Sequence, residues 1–287
     1  MSFISNQNNY FCENHFVFMD NFILLEGVAD GSPLSAANLP SEKTVRRCLD
    51  NQFVSDWYAE PELNYSALMM ETDCPIPSGC VFIPLRQFFW DSKTDTEKAS
   101  GTPSPIASLA ARAHGLLLWR SKMRYCPICG AGLHDDPEFT ARKCISCGKQ
   151  YFPRIEPAII VLVSRKSTAF PNEEEILLAR HVQRNTDVYS CIAGFVELGE
   201  SLEQCVAREV REETSLEIKN IKYVGSQAWP FPDQLMLAYT AEYDSGEISV
   251  QEEELSEAKW FRRSELPSIP KAGSVAYNLI YGNFVKK

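Results

Sequence analysis

Four cysteines in two C-x2-C pairs constrain this chain more than any other feature. They are Cys126-Pro-Ile-Cys129 and Cys144-Ile-Ser-Cys147, with fourteen residues between the pairs. Thiolates at i and i+3 of a tight turn occupy one edge of a tetrahedron, and zinc takes four such soft ligands. Gly130 and Gly148 directly follow the pairs and let each turn close with backbone N–H groups toward sulfur. Two such knuckles joined by a short hairpin make a zinc ribbon. A four-thiolate shell has no open position, so its single Zn2+ is structural. Unrelated free thiols are the competing reading. His134 lies inside the segment, but four Cys already fill the shell. The other six cysteines (Cys12, Cys48, Cys74, Cys80, Cys191, Cys205) show no ligand spacing and read as small buried or neutral thiols.

At roughly 150 residues per domain, 287 residues suggest two domains, or one large domain with an appendage. Apolar residues make up 45% and charged residues 23%, enough for a core without disulfides. No apolar run approaches the ~18 residues of a membrane helix. The first residues carry neither a basic region nor a long apolar stretch, and the last carry no targeting address. The expected compartment is therefore the reducing cytoplasm, with no membrane partner. A net charge of −10 argues against a non-specific nucleic-acid coat protein. Residues 120–154 run the other way: seven basic residues against three acidic ones, a local +4. A plain solvated face and attraction of an anionic substrate both fit that excess.

Residues 15–19, 21–25 and 79–84 read as strands, rich in aromatic and branched side chains. Residues 91–105, with Gly101, Pro103 and Pro105, read as a linker. Residues 106–119 place Leu109, Ala113, Leu116 and Leu117 near helical spacing. Beyond the cysteines, residues 157–163, 175–179 and 188–193 read as strands and 201–214 as a helix. Residues 221–263 read as short strand-like pieces, and 275–284 as a closing helix. The organisation expected is an N-terminal α+β domain (1–105), a linker helix (106–122), the ribbon (123–154) and a C-terminal domain (155–287).

The helix over 201–214 opens with Ser201 and Gln204, a capping box. Glu209, Glu212 and Glu213 then recur at i, i+3 and i+4 and project from one side. Carboxylates packed this densely repel unless a cation compensates, and hard oxygen ligands suit Mg2+ or Mn2+. Arg208 can hold a neighbouring carboxylate, and Glu200 adds another oxygen. Taken alone, such a helix reads more simply as a solvated face. The whole segment, however, resembles the Nudix box, G-x5-E-x7-R-E-U-x-E-E-x-G-U, where U is apolar. Gly194, Glu200, Arg208, Glu209, Val210, Glu212, Glu213 and Leu216 match. Ser215 stands where the family has a Gly that ends the helix, at a backbone position expected to need positive φ. The resemblance implies an α/β/α sandwich around a mixed sheet, which hydrolyses diphosphates linked to another moiety.

Further on, Ser226-Gln-Ala-Trp-Pro-Phe-Pro-Asp-Gln234 resembles the S-Q-P-W-P-F-P-x-S array of the NADH pyrophosphatases, the NudC-type branch of the family. Ala228 and Gln234 depart from it. Two prolines stiffen the loop and hold two aromatic rings outward at low entropic cost, and such rings suit stacking on a nucleobase or nicotinamide. On its own the loop would read as core packing. The order of N-terminal domain, ribbon and Nudix domain also matches the branch, as does the join Tyr151-Phe-Pro-Arg-Ile-Glu-Pro157.

By that resemblance Glu209, Glu213 and Glu254 are metal ligands, with Glu212 as ligand or base and the Ala193 carbonyl completing the shell. Two to three Mg2+ or Mn2+ ions are implied. Gln227, Ala228, Trp229, Pro230, Phe231, Pro232, Asp233 and Gln234 would line the dinucleotide site, with Phe195, Ala276, Arg86 and Phe152 as further contacts. The implied reaction is hydrolysis of NADH or NAD+ to nicotinamide mononucleotide and AMP. Removal of NAD caps from RNA, by a homodimer, is implied too. The rivals are a Nudix enzyme acting on ADP-ribose or dinucleoside polyphosphates, and a non-catalytic ribbon module that binds RNA or protein.

Overall fold

The computed structural model describes residues 12–29, 34–50, 53–92, 104–170, 173–182, 187–231 and 233–284. They form two compact units, one of the described residues up to Arg154 and one of those from Ile155 onward. Among the described residues no helix is long and apolar enough to cross a membrane.

The first unit is built on a five-stranded sheet ordered β3-β4-β1-β2-β5. Its strands are β1 (Asn14–Met19), β2 (Phe22–Glu26), β3 (Val54–Glu60), β4 (Tyr65–Met70) and β5 (Cys80–Pro84). The strands β3 and β4 and the helices α1 (Glu42–Asp50) and α2 (Leu85–Asp91) were not anticipated from sequence. Val17, Leu24, Val45, Trp57 and Leu68 pack into one core, and Cys48 and Cys74 are buried among them.

Helix α3 (Pro105–Lys122) starts on the Ser104 side chain, which accepts from the Ala107 N–H, with Pro105 in its first turn. Its alanines let it lie close on the sheet. Arg112 donates to Glu60 at 2.8 and 2.6 Å, and Arg120 donates to Asp56 at 2.7 and 3.0 Å. Both carboxylates lie on or at the end of β3, so the helix expected as a linker is fastened to this sheet by buried charge pairs. Breaking one of a buried pair costs several kcal/mol. The expected linker itself falls mostly on residues 93–103, outside the described residues.

The ribbon belongs to the same unit, with strands β6 (Leu133–Asp135), β7 (Arg142–Cys144) and β8 (Gln150–Tyr151). Arg120 reaches Asp135 in β6 at 2.6 Å, which ties the ribbon to α3.

The second unit is a mixed sheet ordered β12-β13-β9-β10-β14, with β11 also on β9. The strands are β9 (Glu156–Lys166), β10 (Glu174–His181), β11 (Ile192–Phe195), β12 (Glu217–Trp229), β13 (Gln234–Ser245) and β14 (Leu255–Arg262). Only the β13·β9 pairing is parallel. The period-2 alternation of β9 sorts its side chains between two cores. Ile159, Val161 and Val163 pack with Val206 and Val210 of α4 (Leu202–Thr214). Ala158, Ile160 and Leu162 pack with Val275, Leu279 and Ile280 of α5 (Val275–Tyr281). The sheet is therefore sandwiched between two helices, as expected.

Two details differ from expectation. The strand expected over 188–193 forms at Ile192–Phe195, and Ser190 makes only an isolated bridge to Ala179. The pieces expected over 221–263 include one long hairpin, β12–β13, whose register shifts three times. Each shift breaks the alternation of exposed and buried side chains, so the strand reads as fragments.

Helix α4 begins as the capping box dictates: Ser201 Oγ accepts from the Gln204 N–H at 3.2 Å, and Gln204 Oε1 accepts from the Ser201 N–H at 2.7 Å. It ends at Ser215, with φ 61° and ψ 18°. A left-handed residue with a Cβ is strained by roughly 1–2 kcal/mol, part of which glycine recovers. Ser215→Gly is expected to stabilise the protein by about 1 kcal/mol, read as a rise in Tm. A fall would mean that the 3.2 Å bond from Ser215 Oγ to the Ser249 carbonyl matters more.

Candidate active site

The carboxylates of α4 divide by burial. Glu209 and Glu213, one turn apart, are 9% and 1% exposed, whereas the Glu212 side chain is 53% exposed. Arg208 gathers this cluster. It donates to both oxygens of Glu200 at 3.0 and 2.7 Å, to Glu209 at 2.9 Å, to Glu212 at 3.0 Å and to the Phe195 carbonyl at 2.9 Å. That contact holds the Glu200 carboxyl down at about 2. Glu200 also accepts from the Glu197 N–H at 2.7 Å, so it anchors the loop ahead of the helix.

Glu213 is different. Both of its carboxylate oxygens are buried and have no hydrogen-bond partner among the described residues. Burial pushes its carboxyl up to about 8, and the negative charges of Glu209, Glu254 and Glu212 add to the push. Burial also raises Glu209, against the opposing pull of Arg208. Glu254 lies beyond a turn whose Gln251 N–H donates to the Glu213 carbonyl, and its charge acts on both buried acids. A buried carboxylate without donors, beside a second buried acid, fits a cation with oxygen preference.

Gly194 explains the first position of the box. A Cβ there would lie 1.9 Å from the Glu209 carboxylate carbon. The Glu209 head therefore rests on the backbone of β11, beside Ala193. Gly194→Ala must push that carboxylate away. The expected result is a loss of turnover of about 10^1–10^2-fold and a higher divalent-ion requirement, checked by Mg2+ and Mn2+ titration of the rate.

On the other sheet face, Phe195, Ala158, Met236 and Gln227 align across four strands. Aligned residues point the same way, so Phe195 and Gln227 share the α5 face with Ala276. Phe195 is 49% exposed there. Trp229 and Phe231 meet edge-to-face at 5.5 Å between centroids, at the turn joining β12 to β13. Pro230 is buried, Ala228 exposed, and Gln234 half-buried opposite Trp229. Asp233 has one buried oxygen without a partner among the described residues. Pro232 lies outside the described residues.

Gln227 is 3% exposed, and both ends of its amide are engaged: Nε2 donates to the Gly273 carbonyl and Oε1 accepts from the Val275 N–H, both at 2.9 Å. It clips the start of α5, and with it Ala276, to the sheet. Arg86 on α2 and Phe152 after β8 are exposed residues of the first unit; Phe152 packs edge-on to Phe139.

The four cysteines converge as the spacing requires, with all donor atoms within 4.8 Å of one another. Cys126 and Cys147 sulfurs are 3.7 Å apart, and Cys129 and Cys144 sulfurs 3.5 Å. Four sulfurs about 2.3 Å from a central zinc stand about 3.8 Å apart, whereas a disulfide is about 2.05 Å. Gly130 and Gly148 take φ 73° and 69°. Sequence reasoning missed Tyr151, whose hydroxyl lies 3.0 Å from Cys126 Sγ and lowers that thiol to about 6. Its position two residues past Lys149 carries no signal of that contact. The local basic excess also needs correcting: Arg120 and Arg142 are internal, the latter donating to backbone carbonyls at 3.4 and 2.8 Å.

The sequence pattern of the NUDIX domain matches residues 156–281, the span of the second unit's sheet and helices. The chain belongs to the Nudix hydrolase family. The "NAD-capped RNA hydrolase NudC" of Pseudomonas aeruginosa (strain LESB58) is 41% identical over 228 residues, covering 79% of this chain and 74% of that protein. The protein of the same name from Salmonella heidelberg (strain SL476) is 46% identical over 175 residues, covering 61% and 65%. Those similarities put it in the NudC-type branch. Among solved structures, a NUDIX hydrolase from Nitrosomonas europaea is 19% identical with a TM-score of 0.43, covering 56% of this chain and 88% of that one.

Proposed function

We propose that this chain hydrolyses the diphosphate of NADH and NAD+ to a nicotinamide mononucleotide and AMP, and removes NAD caps from RNA 5′ ends. The observation that carries the hydrolytic part is Glu213, with two buried carboxylate oxygens and no donor, beside Glu209. The names of the relatives above support the choice of substrate.

In this reading Glu209, Glu213 and Glu254, with the Ala193 carbonyl, hold two to three Mg2+ or Mn2+ ions. Bound there, such ions neutralise diphosphate charge and acidify a coordinated water. Arg208 is a positioning residue: it fixes Glu200, Glu209 and Glu212 in one array. Glu212 bonds Arg208 through Oε2 and keeps Oε1 as the acceptor for a proton. Phe195 and the Trp229–Phe231 pair offer ring faces to a nicotinamide or adenine, and stacking in a partly dry site fixes the dinucleotide's orientation. Gln227 sets the Ala276 backbone rather than touching substrate itself. Zn2+ on the four cysteines stays structural. Homodimerisation and a reducing cytoplasmic setting, in which all ten cysteines are free thiols or metal ligands, complete the proposal.

The test is product analysis. The protein is incubated with NADH and Mg2+ or Mn2+, and AMP with reduced nicotinamide mononucleotide is expected. A strong preference for ADP-ribose by the same preparation would overturn the substrate assignment. Sedimentation analysis checks the dimer.

A further inference from the structure

The zinc end of the ribbon exposes large apolar side chains beside basic ones. Tyr125, Ile128 and Ile145 are 68%, 63% and 70% exposed. Ile128 stands one residue before the second Cys of its knuckle, and Ile145 one residue after the first Cys of the other. Tyr125 bridges to Gly132, and the Ile145 N–H donates to the Gly132 carbonyl, so both residues flank one point on the ribbon. Closed metal knuckles make this end rigid, so these side chains do not collapse into a core.

The charges around them are free to act outward. Of the seven basic residues in 120–154, Arg120 and Arg142 are held inside. Asp135 and Asp136 are likewise engaged, by Arg120 and by Gln150 with two backbone N–H groups. Lys122, Arg124, Lys149 and Arg154 are exposed and make no ion pair among the described residues. Lys143 sits half-buried between His134 and Gln150 on one ribbon face. Glu138 is the remaining exposed acid of the segment. The chain carries −10 overall, so this cationic surface is a local exception.

A rigid platform with a tyrosine ring, aliphatic neighbours and unpaired cations fits a single-stranded polyanion whose bases carry π faces. We propose that the zinc end of the ribbon binds the RNA chain of a capped transcript, with Arg124 and Lys149 on phosphates and Tyr125 against a base. This rests on the reading that capped RNA is a substrate, and it assigns the chain-binding role to residues outside the Nudix box. Cap hydrolysis remains the work of the second unit.

The test uses the full-length, zinc-loaded protein with Arg124→Glu and Lys149→Glu together, and separately Tyr125→Ser. Zinc content and Tm confirm an intact ribbon; if the double variant fails to fold, Arg124→Gln with Lys149→Gln replaces it. The kcat/KM for NADH is expected to stay within about twofold. Affinity for an uncapped 5′-monophosphate RNA of about twenty nucleotides is expected to fall at least about tenfold. The slope of log affinity on log salt should shrink by about 1.4, about 0.7 for each lost phosphate contact. Turnover of NAD-capped RNA should fall in parallel. Unchanged RNA binding in the folded variants overturns the proposal. So does unchanged binding accompanied by loss of the dimer or of a bound protein, which assigns the patch to that partner. If the wild type cleaves NADH but not NAD-capped RNA, the substrate reading fails separately, while the RNA-affinity arm still decides the surface.

Discussion

Glu213→Gln is expected to lower NADH turnover by at least about 10^2-fold and, in metal-free protein, to raise stability. The two effects share one cause. Glu213 is 1% exposed and both its oxygens lack donors among the described residues. A carboxylate there suits a divalent ion and is badly placed without one. The pH dependence follows from the raised carboxyl, up to about 8 in the fold. An unfolded Glu ionises near pH 4.3. Below that pH both states are protonated, and the group is neutral to stability. As pH rises toward 8 the unfolded state loses its proton while the folded state keeps it, so stability falls across that window. The full effect is on the order of a few kcal/mol. In EDTA, the Gln variant is therefore expected to melt higher than the wild type, with the gap widening from pH 5 to pH 8. With saturating Mn2+ the order is expected to reverse, because the wild type gains more of the ion's binding energy. Thermal melts at several pH values, with and without metal, check this. Equal melting curves at pH 8 in EDTA would refute the strain on Glu213.

Side chains whose role depends on local spacing were legible in the sequence. The two cysteine turns, the capping box at Ser201 and the helical spacing of the glutamates each involve residues within a turn or two of one another. The left-handed cap at Ser215 followed from the missing glycine. What the sequence hid is what depends on distant pairing. Gly194 matters because strand β11 lies beneath Glu209, fifteen residues on, and only the packing of α4 on that strand shows the contact. Gln227 reads as a polar residue in a binding array, but its amide joins β12 to the start of α5. The burial split between Glu212 and Glu213 depends on how α4 rolls onto β9 and β11. In the first unit, helix α3 looked like a connector because its Ala-rich face carries little amphipathic contrast. Its anchorage comes from Arg112 and Arg120 meeting Glu60 and Asp56, more than fifty residues upstream. β3 and β4 were missed for a similar reason: Glu60 at the end of β3 is a charged residue that only a partner across the fold makes compatible with burial.

Cys126→Ser is expected to release the zinc and loosen the whole first unit. A serine oxygen does not replace a thiolate in a four-sulfur shell, and structural zinc contributes about 10–16 kcal/mol to folding in small domains. The ribbon core beyond the ligands is slight, with Leu133 packed against Cys126 and Cys144 and partly buried Met123, Ala131 and Tyr151. Without metal, β6 and β7 have little to hold them. The damage then spreads along the charge pairs. Arg120 is 5% exposed and depends on Asp135 in β6 as well as Asp56. Arg112 donates to Thr140 at 3.4 Å as well as to Glu60. Losing Asp135 leaves a buried guanidinium half-compensated, a cost of several kcal/mol that falls on α3. The second unit has its own two cores on either side of β9 and should keep its structure. Metal analysis should find about one zinc per chain in the wild type and close to none in the variant. Hydrogen exchange should show early loss of protection in 105–151, ahead of β9 and β13. A zinc-free variant with unchanged protection in α3 would show that the ribbon is an appendage, and that Asp56 alone suffices for Arg120.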